Sequence, residues 1–227
     1  IGYRANEGYA EMSVIVFNSD GSVFFNYKKP KISNNDEWNA GGVRVEVLEP
    51  GERLRTTYDG TALYMLDPRD MKDPSKAFKS NPFKKIKLDL VHHGVGPLYG
   101  HVGEPGDGND FARAHSEQHM RVKGTLSIEG EVAININGHG IRDHSWGPRF
   151  WQSVPSYRWI TGNYGDDLGM VLSVAGDRRG GMFHKGTELL QIKDIELSTE
   201  YEQGTSFHKK LIAEVTLENG DQHHVEG

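Results

Sequence analysis

An all-β fold, antiparallel and of sandwich or barrel type, is what the sequence predicts, and three observations predict it. Short runs of β-branched or aromatic residues alternate with polar ones and stop at turn signals. Twenty-eight glycines in 227 residues follow no collagen period and mark tight turns instead. No amphipathic stretch of ten or more residues reads clearly as a helix, although 209–218 fits either period.

Residues 9–17 and 22–27 read as an opening hairpin around Asn18-Ser19-Asp20-Gly21. Residues 43–48 form a strand closed by Glu49-Pro50-Gly51. A second hairpin is expected from 54–58, the turn Asp59-Gly60 and 61–66. In 84–91 the period of two puts Ile86, Leu88 and Leu90 on one face. Residues 67–83 carry Pro68, Pro74 and Pro82, with room for one helical turn at 75–78. The stretch 92–110, with Gly94, Gly96, Gly100, Gly103, Gly106 and Gly108, reads as a domain junction in preference to a flap over a site.

The rhythm resumes with strands at 115–127, 131–136 and 141–146, separated by Glu129-Gly130 and Asn137-Gly138. Further strands are expected at 157–162, 169–175, 181–185, 188–197, 207–217 and 222–225. The resulting bodies are 1–112 and 113–227, with the closing strands of the second expected outside this chain.

Composition narrows the function classes. Lys and Arg number 26 against 32 Asp and Glu, a formal charge of -6, so the basic footprint of a nucleic-acid binder is missing. No apolar run approaches the ~20 residues of a spanning helix, so no transmembrane segment is expected. The chain has no cysteine, which removes disulfide scaffolds, thiolate zinc sites and cysteine nucleophiles. It opens at Ile1 with no basic-then-apolar leader, so a signal peptide is expected to be absent or already removed, and a cytoplasmic location is the expectation.

The densest chemistry lies in 138–151. If the chain is extended there, Arg142, His144 and Trp146 face one way and Asp143 and Ser145 the other. A histidine beside an indole in a closed apolar cavity suits holding a water or moving a proton. The alternative is a structural corner, with Asp143 paired to Arg142 or Arg149 and Trp146 filling a barrel end. The density of Arg, Asp, His and Trp favours the functional reading, since each is costly to bury where Val or Ile would pack more simply.

A second constellation is His115-Ser116-Glu117-Gln118-His119, in which His115, Glu117 and His119 share a strand face. That face reads as a metal site, a hydrogen-bonded pocket wall or a solvated surface. Tyr164-Gly165-Asp166-Asp167 reads first as a hairpin turn, able to project Tyr164 or Asp166 over a barrel mouth. The pairs His92-His93 and His223-His224 read as surface histidines. No GxGxxG, P-loop, GxSxG or HExxH is present.

The run 140–149, with His115-Ser116-Glu117-Gln118 before it and 159–167 after it, resembles the double-lipocalin group. That group includes carotenoid 1,2-hydratase (hydroxyneurosporene synthase), kievitone hydratase and AttH-like proteins. The likeness is specific over about 115–179, centres on Arg142-Asp143-His144-Ser145-Trp146-Gly147, and is one of strand rhythm before that. It implies two tandem lipocalin-like barrels, a lipophilic pocket and no organic cofactor. In these hydratases an acid protonates a prenyl-type double bond and water captures the tertiary cation. Their motif His and Trp match His144 and Trp146. Their later Tyr-x-Asp pair has no counterpart around Val171-Leu172-Ser173-Val174, which leaves Asp143 and Glu117 as the candidate acids. Other relatives are pericyclases that fold a polyene and need no strong acid.

The leading expectation is thus a cofactor-independent hydro-lyase or isomerase acting on a small lipophilic, isoprenoid-like molecule. Asp143, Glu117, His144 and Trp146 are its catalytic candidates, and Arg142, His115, Trp151, Trp159 and Tyr164 line the ligand. The rivals are a non-catalytic carrier of a lipid, terpenoid or sterol in the same cavity, and a metal-dependent enzyme using His115, Glu117 and His119.

Overall fold

The computed structural model describes residues 1–102, 112–149 and 154–227. The chain is nearly all β and antiparallel, of lipocalin-like type, with one sheet curled into a half-barrel. Contacts divide it into two compact units: Ile1–His93 with Val122–Gly138, and Gly94–Arg121 with His139–Gly227. The sequence expectation of a single cut at 112/113 puts almost all of strand 112–128 in the second body, whereas the contacts divide that strand between the units. Part of the glycine-rich stretch, 103–110, lies outside the described residues.

The first unit holds β1 (Gly2–Arg4), β2 (Tyr9–Phe17), β3 (Val23–Lys28), β4 (Trp38–Ala40), β5 (Val43–Glu49), β6 (Arg53–Met65) and β7 (Phe83–Gly94). They follow the order β1-β2-β3-β6-β7, with β5 on β6 and β4 on β5. Next along this sheet come β9 (Ala112–Ile128) and β10 (Ile134–Arg149), whose residues Val122 onward and up to Gly138, respectively, belong to this unit. Met12, Phe24, Tyr58, Ala62 and Ile86 form the main core. The helical turn expected at 75–78 is α1 (Pro74–Ser80). Its N-cap Asp73 accepts from the Lys76 backbone N–H, and its Ala77 is buried with Val23, Leu63 and Met65.

Two expected turns are absent, for a common reason. Asp59-Gly60 was expected to close a hairpin, yet β6 runs straight through it. Its two ends pair with β5 (Val43↔Tyr58) and β3 (Phe25↔Leu63), and β7 runs along its other edge from Arg53 to Leu63. A type I′ turn needs positive φ at both central residues, and Gly60 has none. Glycine is there for space: a Cβ on Gly60 would stand 2.6 Å from the Tyr58 hydroxyl. That hydroxyl accepts from Asn26 at 2.6 Å and donates to the Thr61 carbonyl at 3.0 Å. Asn137-Gly138 likewise lies inside β10, again without positive φ. In both places sheet pairing outweighs the local turn preference.

The second unit holds β8 (Tyr99–Val102) and the remaining parts of β9 and β10. It also holds a six-stranded meander of β11 (Tyr157–Asn163), β12 (Leu168–Ala175), β13 (Arg178–Lys185), β14 (Glu188–Tyr201), β15 (His208–Leu217) and β16 (Gln222–Glu226), paired in sequence order. Its core is Met170, Leu172, Phe183, Ile195, Ala213, Val215 and Leu217. Of the paired histidines read as surface, His93 and His224 are exposed. His92 and His223 are half-buried, because strand alternation turns every second side chain inward. The His223 ring stacks on Phe183 at 4.8 Å. No helix among the described residues is long and apolar enough to cross a membrane.

The neighbours Gly180 and Gly181 supply a paired test. Gly181 has φ +133, and a Cβ there would collide with the Val171 carbonyl, whereas Gly180 faces open space. Gly181→Ala is expected to cost about 3 kcal/mol, and Gly180→Ala less than about 0.5 kcal/mol, in denaturant unfolding. Equal effects would contradict the β12–β13 register.

Candidate functional site

Residues 114–120 of β9 are buried except His115, which is half-buried. With both strand faces covered, Glu117, Gln118 and His119 must find partners inside the protein, and they do. Glu117 Oε1 accepts from the Trp159 indole N–H of β11 at 2.6 Å. Gln118 Nε2 donates to the Gly96 carbonyl at 3.2 Å, and His119 Nε2 to the Met170 carbonyl of β12 at 3.1 Å. His115 Nε2 donates to Asp143 Oδ1 of β10 at 2.9 Å and lies 3.8 Å from Glu117 Oε1. A buried carboxyl, an indole, an imidazole and a second, exposed carboxyl thus stand in one cluster.

Glu117 is 3% exposed. Burial pushes its carboxyl above the ordinary range, the Trp159 N–H and His115 oppose the rise, and Asp143 adds to it. Tyr99, directly across the β8–β9 ladder from Glu117, is also pushed up, by burial first and by Glu117 second. No sequence pattern marks Tyr99, because only strand pairing brings it opposite Glu117.

On β10 the expected alternation holds in part. The His144 and Trp146 rings lie 5.0 Å apart, while Asp143 turns to His115. Burial pushes His144 below its ordinary value and Arg142 adds to that, while Asp143 opposes. Burial likewise lowers Arg142, opposed by Asp143. Trp146 is 46% exposed rather than enclosed. Tyr164 is exposed and sits in the β11–β12 turn, where its N–H bonds the Leu168 carbonyl at 2.9 Å. In the same turn Asp166 accepts from His139 at 2.8 Å and is ion-paired to Arg121. Trp151 lies outside the described residues.

His115, Glu117 and Asp143 present ligand atoms all within 4.8 Å of one another and are able to hold a metal ion. The expected third ligand, His119, faces Met170 and His184 instead. Burial and His184 push His119 down to about 4, against the Met170 and Gly162 carbonyls. Elsewhere in this unit, a cleft of about 890 Å³ is lined by polar groups including Arg158, Asp177, Arg179, Lys193 and Glu196. None of the site residues expected from sequence lines it.

Fold and cluster together define an all-β, lipocalin-like protein with a buried carboxyl held between an indole and an imidazole. A family model described as a domain of unknown function (DUF7064) matches residues 1–227, and the chain belongs to that family. No curated protein and no solved structure matches the chain.

Proposed function

We propose that the second unit is a cofactor-independent hydratase or isomerase acting on a double bond of a lipophilic, isoprenoid-like substrate. The observation that carries this reading is Glu117: a buried carboxyl whose proton affinity is raised by burial, bonded to Trp159 and 3.8 Å from a His115–Asp143 pair. A protonated carboxyl in apolar surroundings suits alkene protonation. Its proton goes to one alkene carbon and the neighbouring carbon becomes a tertiary cation. Water bonds to that cation and releases a proton to His115–Asp143, and His115 returns the proton to Glu117. The net change is addition of one water. If a proton is instead removed from a carbon beside the cation, the same groups isomerise the double bond.

Of the two candidate acids, Glu117 fits better. Asp143 is 41% exposed at its side chain and already paired with His115, which suits accepting the released proton. Trp146, Trp159 and the adjacent His144 offer aromatic faces to the cation. The resemblance of 140–149 to the hydratase motif supports the same assignment at His144 and Trp146.

The test is incubation of the purified chain with an isoprenoid bearing a trisubstituted double bond, in heavy-oxygen water, followed by mass spectrometry. Incorporation of one labelled oxygen is expected for a hydratase, and a shifted double bond for an isomerase. A bound but unaltered isoprenoid overturns both in favour of a carrier. The 4.8 Å grouping of His115, Glu117 and Asp143 favours a second reading, metal-assisted hydration. Stoichiometric zinc, iron or manganese in elemental analysis would put that reading first.

A further inference from the structure

Two histidines with no part in the chemistry above meet inside the second unit. His119 of β9 and His184 of β13 are both fully buried, with ring centroids 4.9 Å apart. His119 Nε2 lies 3.1 Å from the Met170 carbonyl oxygen, and His184 Nδ1 lies 3.1 Å from that of Gly186. A carbonyl only accepts, so each of those nitrogens carries the hydrogen and both tautomers are set. In the neutral ring form the remaining nitrogens, His119 Nδ1 and His184 Nε2, present bare lone pairs. Neither has a hydrogen-bond partner among the described residues.

Glycines pack directly against both nitrogens. Gly169 lies directly across the β12–β13 ladder from His184. A Cβ on Gly169 would collide with His184 Nε2 and stand 2.7 Å from His119 Nδ1. A Cβ on Gly96 would stand 2.8 Å from His184 Nε2. Two buried acceptors thus converge where no residue larger than glycine fits, and leaving both unsatisfied is unfavourable.

We infer that His119 Nδ1 and His184 Nε2 form a two-histidine site for one soft monovalent d10 cation of the Cu(I) or Ag(I) kind. The donor set selects this class. The donors are two imidazole nitrogens, and no third His, Asp or Glu ligand atom joins them among the described residues. Zinc takes four ligands, and calcium or magnesium takes six or more, mainly oxygen. A buried dication between two neutral donors would also keep most of its charge uncompensated. A monovalent d10 ion is content with two nitrogens and brings half that charge. Backbone carbonyls that hold the far N–H of each ring are the usual support of a metal-binding imidazole. With no cysteine in the chain, thiolates do not compete.

The test uses long-range proton–nitrogen NMR of the imidazoles in the wild-type chain, titrated with Ag(I) alone. The free protein is expected to show the hydrogen on Nε2 of His119 and on Nδ1 of His184. At one equivalent of Ag(I) the signals of His119 Nδ1 and His184 Nε2 move together, ahead of the other histidines. Unmoved signals overturn the inference, since a bridging water would leave the spectrum as it was. An equal response to Zn(II) overturns the two-coordinate assignment. His184→Gln, checked as folded by circular dichroism, is expected to lose the bound equivalent, and retention of it also overturns the site.

Discussion

Glu117→Gln is expected to lower turnover of an isoprenoid alkene by about 10²- to 10⁴-fold, the usual contribution of a positioned acid or base. The substitution keeps shape, and the amide oxygen still accepts from Trp159, so the loss is that of the proton and not of the packing. The wild-type pH profile has a defined sign. Burial holds the folded-state carboxyl above the ordinary glutamate value of 4.5, so the competent acid persists above pH 4.5 and is lost as pH rises through the raised value. Stability follows the same course: the folded state holds this proton more tightly than the unfolded one, so stability falls as pH rises across that window. In the Gln variant this fall is absent, which unfolding at a series of pH values measures without any substrate. Glu117→Leu adds a further cost of about 1–3 kcal/mol, because the Trp159 N–H loses its acceptor. Full activity in Glu117→Gln would assign the acid elsewhere, with Asp143 next to be tested.

Leu172→Ala is expected to destabilise the second unit by about 3–5 kcal/mol, the upper part of the range for a buried leucine. Leu172 is fully buried at the middle of β12, where its ladder partners are Ile160 and Gly181. Gly181 has no side chain to lean into the vacated space, and the Val171 carbonyl against it keeps the backbone in place, so little of the cavity closes. In thermal unfolding this corresponds to a midpoint lowered by about 6–20 °C. Val132→Ala, at a residue 90% exposed, serves as the control and is expected to stay within about 0.5 kcal/mol of wild type. A Leu172→Ala effect below 1 kcal/mol would mean that β12 does not carry this core.

Most strands were legible because their ends coincide with turn residues that no sheet partner overrides. The strand Tyr9–Phe17 and the run of six from Tyr157–Asn163 to Gln222–Glu226 lie close to where alternation and glycine put them. Asp59-Gly60 and Asn137-Gly138 carry the same local signal but lie within longer ladders, and there cross-strand hydrogen bonding decides. The cluster was half legible. Alternation grouped His115 with Glu117, density singled out Asp143, and the family resemblance brought in Trp159. The His115–Asp143 and Glu117–Trp159 bonds join strands whose pairing no local pattern encodes. His184 carries no sequence signal, since its partner is a histidine on a distant strand and its neighbour a glycine that matters only by lacking a side chain.

The all-β class, the strand rhythm and the residue types available for proton transfer follow from residue order, because these depend on the preferences of neighbouring residues. The tertiary structure alone decided which carboxyl is buried and which exposed, which histidine faces an acid and which another histidine, and which glycine is a turn and which a close contact. Those depend on desolvation and on contacts between strands far apart in the chain, and they separate Glu117 from Asp143 although both are acids on neighbouring strands.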